Sequence, residues 1–263
     1  LSRTSATDTT YGIRVCIGGT STEWFKASAG GVAYVGSFNS NIDMPCFVFA
    51  TALGNTEKYV ADSTSHEIGH TLGLYHDGLV ATATSAATEY YAGHSNWAPI
   101  MGSGYAKAIT QWSKGEYNNA NNKQDDLAVM QTYGLSLRTD DHGDTIIAAT
   151  NLSGTAPTAT GIISTRTDTD VFKFTTGAGS ITFTASVATP DSNLDLQLAL
   201  YDGTGNLVTY TNPTGLAATL TTTVAAGTYY IAVDGMGYNT PANGYSDYAS
   251  IGQYSLNGSL VKA

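Results

Sequence analysis

Residues 66–77 decide the fold of the first half and read HEIGHTLGLYHD, an HExxHxxGxxHD pattern. Residues 56–74 are predicted to form a helix that ends at glycine. On such a helix His66 and His70 stand at i and i+4, so both imidazoles lie on one face and can bind one ion. Glu67 lies beside them on the same turn.

The third histidine of the pattern requires this helix to break. If the helix continued, His76 would lie about 9 Å along the axis from His70, too far for zinc–nitrogen bonds of about 2.0 to 2.1 Å. Gly73 is the place for the break, because glycine takes the left-handed C-terminal conformation without a Cβ penalty. The pattern therefore predicts a zinc site with an open fourth position, the catalytic form, made by His66, His70 and His76.

These residues resemble the metzincin clan of zinc endopeptidases, whose signature is HExxHxxGxxH followed by a methionine-containing turn. Met101, in the segment WAPIMG at residues 97–102, is the candidate for that turn and stands 25 residues beyond His76. The resemblance implies that Met101 forms a hydrophobic floor beneath the histidines. Asp77 is similar to the structural carboxylate of reprolysin-type members, and residues 125–133 resemble the closing helix of matrixin- and serralysin-type members.

The resulting functional prediction is a zinc metalloendopeptidase. Zinc would polarise the scissile carbonyl and acidify its bound water, while Glu67 would take the proton and return it to the leaving amine. Two alternatives stay open: an extracellular binding or adhesion protein with a vestigial metal site, and a zinc hydrolase of another class, such as an amidase. Intact Glu67 counts against the first alternative, and the Gly73 break with the Met101 turn counts against the second.

Three further residues fall outside this pattern. Tyr105 follows Met101 by four residues, whereas astacin- and serralysin-type enzymes place a zinc-reaching tyrosine two residues after their methionine. We therefore interpret Tyr105 as a packing or pocket-wall residue. His94 and His142 match no ligand spacing and are interpreted as structural histidines.

The second half carries the period-two pattern of β-strands. Turn formers such as Asp202-Gly203 and Asp234-Gly235 separate the alternating runs, so we expect an antiparallel β-sandwich. The apolar sets are Phe172 and Phe174; Ile181, Phe183, Ala185 and Val187; Leu194, Leu196, Leu198 and Leu200; and Tyr229, Ile231 and Val233.

This half resembles the bacterial pre-peptidase C-terminal domain, through segments such as TDTDVFKFTT at 167–176 and GTYYIAVDG at 227–235. The resemblance implies a β-sandwich that serves secretion or substrate attachment, or is removed during maturation. Acidic and amide side chains in its loops could supply oxygen ligands to calcium, with solvated loop carboxylates as the alternative. These candidates are Asp168, Asp170, Asp191, Asn193 and Asp195.

The predicted fold class is an α+β metzincin-like catalytic domain, with a mixed sheet and the zinc-binding helix, followed by the antiparallel β-sandwich. All five histidines and all five glutamates precede residue 145, so the composition changes there. We expect a protease domain at 1–143, a linker at 144–160 and the sandwich at 161–263. Only 65 residues precede His66, so the first domain either lacks its N-terminal part or is minimal.

Composition limits the partners and the setting. The net charge is -10 and 12% of residues are charged, which disfavours nucleic acid as a partner. No run approaches the roughly 20 apolar residues that span a bilayer, and Leu1 opens without a leader segment, so we expect no membrane partner and an already processed chain. The resemblance to a domain found beside secreted bacterial proteases implies a secreted, extracellular setting. Cys16 and Cys46 are interpreted as a disulfide, with two buried free thiols as the alternative.

The expected partner is a protein or peptide substrate, together with the chain's own N-terminal fragment or propeptide if it is held as a separate piece. A substrate would bind as an added strand along an exposed sheet edge, for which residues 30–37 are the candidate and an ordinary internal strand is the alternative. Residues around His70 and residues 102–109 should wall the specificity pocket.

Overall fold

The computed structural model describes residues 2–263, and Leu1, where the predicted first domain starts, lies outside the described residues. The chain divides into two compact units after Ser136. No helix within residues 2–263 has the length and apolar character needed to span a membrane.

The first unit contains β1 (Val15–Ile17), α1 (Ser21–Trp24), β2 (Gly31–Val32), β3 (Cys46–Val48), α2 (Glu57–Thr71), β4 (Trp97–Pro99), β5 (Ile109–Gln111) and α3 (Asp126–Thr132).

The first unit is built on a mixed three-stranded sheet in the order β1-β3-β2. Strand β1 is parallel to β3, and β2 is antiparallel to β3 at the other edge. Helix α2 packs against β2 and β3. Both predicted helices are present and slightly shorter than expected: α2 lies within the predicted 56–74 and α3 within 125–133. Of the candidate edge at 30–37, only the two residues of β2 are in a strand.

The predicted Cys16–Cys46 disulfide is wrong, since both cysteines are free thiols. In the parallel pair of β1 and β3, Val15 stands opposite Cys46 and Cys16 stands opposite Phe47. Successive side chains of a strand point to opposite faces, so the two sulfurs lie on different faces of the sheet and cannot meet at bonding geometry. Burial raises the pKa of the Cys46 thiol to about 11, which disfavours its reactive thiolate form.

The second unit, Leu137–Ala263, is β-rich and consists of two packed sheets. One sheet has the order β11-β10-β13-β8-β6 and the other the order β12-β9-β14-β7. All neighbouring strands are antiparallel except β6 and β8. The strands are β6 (Thr150–Asn151), β7 (Thr158–Ile163), β8 (Thr169–Thr176), β9 (Gly179–Val187), β10 (Leu196–Asp202), β11 (Leu207–Thr211), β12 (Ala218–Val224), β13 (Gly227–Gly235) and β14 (Gly252–Ser259).

The core of this sandwich is the set of alternating apolar residues. Phe172, Phe183 and Leu198 are fully buried and belong to one cluster that draws on both sheets. Alternation works here because one face of each strand packs on the facing sheet while the other meets water. One expected turn is wrong: Asp234 and Gly235 are paired within β13 opposite β10.

The boundary between the units differs from the expected one. Residues 144–160, predicted as a linker, contain β6 and the start of β7 and belong to the second unit. The preceding acidic stretch also bonds to that unit, because Asp141 accepts the Ile162 N–H and Asp144 accepts the Thr169 N–H. Asp141 and Asp144, which the sequence suggested were part of a linker, therefore accept hydrogen bonds from backbone amides of the second unit.

Candidate metal centre

Helix α2 ends where the third histidine requires it to end. The N–H of Gly73 donates to His70 O at 2.9 Å and the N–H of Leu74 donates to Gly69 O at 3.0 Å, the two bonds of a Schellman motif. Gly73 has a φ of +87°, which favours glycine. The Tyr133 ring also packs so closely over Gly73 that a Cβ would overlap it. The chain therefore reverses and returns to the helix end.

This reversal brings the three predicted ligands together. One ring nitrogen from each of His66, His70 and His76 lies within 4.8 Å of the others. The Nε2 atoms of His70 and His76 are 2.9 Å apart. Three nitrogens around one tetrahedral zinc stand about 3.4 Å from each other when the bonds are about 2.05 Å. The distances between the ring nitrogens are therefore close to those that one bound zinc ion would impose.

The far side of each ring is held by a hydrogen-bond acceptor. Each Nδ1 lies 2.8 Å from its partner; the pairs are His66 with Ile100 O, His70 with Leu74 O, and His76 with Glu89 Oε1. Carbonyl and carboxylate oxygens only accept, so each Nδ1 carries the proton and each Nε2 lone pair points into the cluster. Burial, followed by the neighbouring His70, lowers the pKa of His66 to about 3. Three imidazoles whose Nδ1 atoms are bonded away from one shared point fit a zinc ion.

Glu67 follows His66 on α2 and is buried against the edge strand β2. Its side chain packs on Gly31 of β2, where an added Cβ would come within 2.5 Å of Glu67 Cγ and Oε1. Burial raises the pKa of the Glu67 carboxyl to about 8. Gly31 is thus required by the close approach of this carboxylate to the strand.

Met101 is fully buried beneath helix α2. Its sulfur packs against Gly69, between the two helical histidines, and a Cβ at Gly69 would lie 2.6 Å from it. The Met101 carbonyl accepts the N–H of Asp77 at 2.9 Å, and the Asp77 carbonyl accepts the N–H of Tyr91 at 2.7 Å. Burial raises the pKa of the Asp77 carboxyl to about 7. Backbone bonds therefore tie the methionine turn to the end of the histidine motif.

Sequence reasoning missed Glu89 and Tyr90. Glu89 orients His76, and the Tyr90 ring lies over the site, with its centre 4.2 Å from the His76 ring and 6.2 Å from the His66 ring. Tyr91, stacked on Tyr117 at 4.6 Å, anchors this segment. The only signal in the sequence is the run Glu89-Tyr90-Tyr91 after a polar loop, and no fixed spacing relates it to the histidines.

The remaining sequence candidates have hydrogen-bond partners outside the three histidines. The Tyr105 hydroxyl is hydrogen bonded to the Ser63 side chain and burial raises the pKa of that hydroxyl. His94 bonds to the Tyr91 hydroxyl at 2.7 Å. His142, in the second unit, bonds through Nδ1 to the Thr150 hydroxyl, while its Nε2 faces the carbonyl of residue 160 at 2.9 Å.

A second cluster, in the second unit, consists of carboxylates. Two groups of three have oxygens within 4.8 Å of one another: Asp140, Asp144 and Asp168, and Asp140, Asp141 and Asp170. Asp168 and Asp170 are buried, and Oδ1 of each lacks a hydrogen-bond partner among residues 2–263. Burial raises the pKa of Asp170 to about 7. Among the aspartates of the predicted calcium set, Asp168 and Asp170 are the two that join a group within residues 2–263.

Asp191 and Asp195 belong to neither carboxylate group within residues 2–263. Asp195 is buried, and its Oδ2 accepts the Tyr245 hydroxyl at 2.7 Å. The oxygen cluster is completed instead by the acidic stretch at 140–144, which the sequence had suggested was the start of a linker.

Two parts of the chain match models of known families. Residues 2–77 match the model described as metallo-peptidase family M12B, reprolysin-like, and this range contains all of the HExxHxxGxxHD pattern but not Met101. Residues 168–235 match the model of the bacterial pre-peptidase C-terminal domain. No curated protein sequence matches the chain significantly.

Two solved structures that match the chain each cover less than half of it. The pre-peptidase C-terminal domain of collagenase from Bacillus anthracis is 17% identical with a TM-score of 0.32, over 47% of this chain and 99% of that chain. Aeromonas hydrophila PliG, a periplasmic inhibitor of g-type lysozyme, is 16% identical with a TM-score of 0.29, over 43% of this chain and 95% of that chain. Likeness at these scores bears on neither activity nor partners. From the family models, the chain joins a segment similar to reprolysin-like metallopeptidases to a β-rich unit similar to pre-peptidase C-terminal domains.

Proposed function

We propose that this chain is a secreted zinc endopeptidase with a β-sandwich accessory unit. The observation that carries the proposal is the histidine cluster, in which every Nδ1 is bonded to an acceptor and every Nε2 lone pair points to one place. A bound zinc ion supplies a Lewis acid that polarises a carbonyl and lowers the pKa of water. The roles of His66, His70 and His76 as ligands rest on this arrangement and on their order in the motif.

Glu67 is the proposed general base and acid. Its carboxylate takes a proton from the attacking water and returns it to the leaving amine. Gly31 lets the carboxylate lie against β2, and its burial keeps bulk water away from it. The side chain is therefore held in one place for both proton transfers.

The outer edge of β2 is the proposed site for substrate main chain. β2 pairs with β3 on one side and is the last strand of its sheet on the other. It lies directly beside Glu67, and the exposed Tyr34 and Val35 follow it. A peptide added antiparallel to β2 would gain main-chain hydrogen bonds without a sequence requirement and would pass Glu67.

The Met101 sulfur is the proposed floor of the site, because it fills the space under Gly69 between the two helical ligands. Glu89 is proposed to hold His76 in its ligand orientation. Such outer partners of metal ligands fix the tautomer and the ring direction.

The carboxylate cluster of the second unit is the proposed calcium site. Oxygen ligands suit calcium, and the unpaired Oδ1 atoms of Asp168 and Asp170 are buried acceptors that a hard cation would satisfy. Without a cation these two carboxylates would repel each other in a dry environment. Calcium is abundant outside cells, so this site accords with the proposed extracellular setting.

Metal exchange tests the proposed function. A chelator selective for zinc should remove one ion per chain and all casein hydrolysis, and one equivalent of zinc should restore both. Calcium added alone should restore neither. A purified chain that binds no zinc, or one that hydrolyses casein fully after zinc removal, would contradict the proposal and favour a binding protein with a vestigial site.

A further inference from the structure

An open groove crosses the outer face of the four-stranded sheet of the second unit, over strands β7, β14 and β9. Its volume is about 380 Å³, within the range of about 300 to 1,000 Å³ that is typical of ligand sites. The polar side chains of its lining are Thr160, Ser186, Gln253 and Ser255. Asp141 stands at its rim, where it accepts the Ile162 N–H at 3.1 Å. The groove therefore lies wholly within the second unit.

Strand pairing places the polar side chains of the groove next to each other. Ser255 of β14 stands opposite Thr160 of β7 on one side and opposite Ser186 of β9 on the other. Directly opposite residues of antiparallel strands have Cβ atoms about 4.5 to 5.5 Å apart. The groove thus presents a row of three hydroxyl groups across the sheet, and the Gln253 amide begins the next row beside Ile162.

The side chains of the groove differ from the other hydroxyl groups of the same face. Outside the groove, Thr182 bonds to Thr221 at 2.9 Å and Thr184 bonds to Thr219 at 3.1 Å, so those hydroxyls are paired across β9 and β12. Within residues 2–263, the four polar side chains that line the groove form no hydrogen bond with the protein. Their donors and acceptors are available to a ligand.

The outward face of this sheet carries no charged side chain. Its outward positions on β7, β9, β12 and β14 hold threonine, serine, asparagine or glutamine, with Ile162 as the exception, while the inward positions form the sandwich core. The chain as a whole has a net charge of -10, and soluble surfaces ordinarily mix charges of both signs. This face is therefore chemically distinct from the rest of the acidic chain.

These properties select the class of ligand. Nucleic acid and acidic lipid surfaces are held by lysine and arginine, and protein partners are held chiefly by tryptophan, tyrosine and arginine. The outward positions of the four strands contain none of these residue types. Asp141 at the rim would repel an anion. Hydroxyl and amide side chains both donate and accept hydrogen bonds, as the hydroxyl groups of an uncharged sugar do.

We propose that this groove binds a neutral polysaccharide, and that the second unit thereby holds the chain on a polymer that is not its peptide substrate. Thr160, Ser255 and Ser186 exchange hydrogen bonds with successive sugar hydroxyls, and Gln253 supplies an amide donor and acceptor. Ile162 offers an apolar contact to the C–H groups of a sugar ring. The inference goes beyond the proposed peptidase function and does not depend on it, because every lining residue belongs to the second unit.

Co-sedimentation of the full chain with insoluble polysaccharides tests the inference, with cellulose, chitin, starch and a β-1,3-glucan as the probes. Wild type should bind at least one of them. The double variant Thr160→Val with Gln253→Ala should bind that polymer about tenfold or more weakly, because it removes hydrogen bonds that the groove supplies. Thr223→Val is the matched control, since Thr223 is an exposed threonine of β12 outside the groove, and it should bind as wild type does. Thermal unfolding verifies that both variants are folded.

The same assay separates this inference from the proposed function. A zinc-selective chelator should abolish casein hydrolysis and leave polysaccharide binding unchanged. Failure of wild type to bind any of the four polymers, or equal binding by the double variant, would overturn the inference. Binding to gelatin beads but to none of the polysaccharides would also overturn it and assign the groove to a protein partner. Polysaccharide binding by a zinc-loaded chain that hydrolyses no casein would overturn the proposed function alone.

Discussion

The two units of this chain assemble their ionisable side chains in opposite ways. In the first unit, three imidazoles meet, and each Nδ1 is bonded to an acceptor. In the second, carboxylates meet, and Asp168 and Asp170 are buried with an oxygen unpaired. The first set suits zinc and the second suits calcium. The type of ligand atom and the hydrogen bonds around the ligands therefore indicate which metal each cluster would bind.

The scaffolds around the two centres differ as well. Strands of the second unit reach nine residues and share one large core, whereas strands β1 to β5 have two or three residues each. The histidine centre therefore depends on single contacts such as Gly31 with Glu67 and Glu89 with His76. The sandwich distributes its stability over many apolar pairs. Single substitutions should consequently disturb the first centre more than the second.

The largest expected effect among the scaffold residues is at Gly31. Gly31→Ala should lower kcat/KM by at least about 100-fold, because the new methyl group displaces the Glu67 carboxylate from its position against β2. Zinc content should be unchanged, since no ligand contacts Gly31. Gly12→Ala in the same unit is the control, because a Cβ there meets no atom within 4 Å. Equal activity of both variants would show that the contact between Gly31 and Glu67 is not needed for catalysis.

Glu89→Ala should weaken zinc binding by about 10- to 100-fold, because His76 loses the acceptor that orients its ring. Competition with a chromophoric chelator measures the affinity. Glu89→Gln retains an acceptor oxygen and should recover most of the loss, while the exposed Glu23→Ala should bind zinc as wild type does. If Glu89→Gln binds as weakly as Glu89→Ala, the hydrogen bond is not the cause.

Calcium should stabilise the second unit only. At ten times its Kd, calcium adds about 1.4 kcal/mol, which raises the unfolding temperature of that unit by about 5 °C. Asp168→Asn should abolish the rise, while Asp191→Asn, outside the carboxylate cluster, should not. Calorimetry on the full chain follows both transitions. If calcium raised the unfolding temperature of the first unit instead, the calcium site would not lie in the second unit.

The pH dependence of stability tests the first unit separately through Asp126, a buried carboxyl that belongs to neither carboxylate group within residues 2–263. Burial, together with the charge of Asp77, raises its pKa from the ordinary 3.8 to about 8. Between these values the folded state holds a proton that the unfolded state has lost, so this group lowers stability as pH rises from about 4 to about 8. Asp126→Asn should flatten that decline in urea unfolding of the first unit. An unchanged slope would show that Asp126 is ionised in the folded state.

The sequence predicted the parts that local rules determine. The HExxHxxGxxHD spacing and Gly73 were sufficient to predict the helix break and the meeting of three histidines. Alternation was sufficient to predict the residues of the sandwich core. In both cases one property of the chain, a fixed spacing or a period of two, specifies which side chains share a face.

Long-range features were beyond those rules. Glu89 reaches His76 through a loop of irregular length, so no spacing indicates it. The disulfide prediction failed because a one-residue difference in register places Cys16 and Cys46 on opposite faces. The linker prediction failed because Asp141 and Asp144 bond to strand amides that the sequence does not reveal.

The measurement that tests the central claim most directly is the zinc content and casein hydrolysis of Glu67→Ala beside wild type. Glu67 is not a ligand in the histidine cluster, so the variant should bind one zinc ion with the affinity of the wild-type chain. It should nevertheless lose hydrolysis by a factor of about 1,000 or more, because proton transfer has no acceptor. Full hydrolysis by the zinc-loaded Glu67→Ala chain would contradict the account.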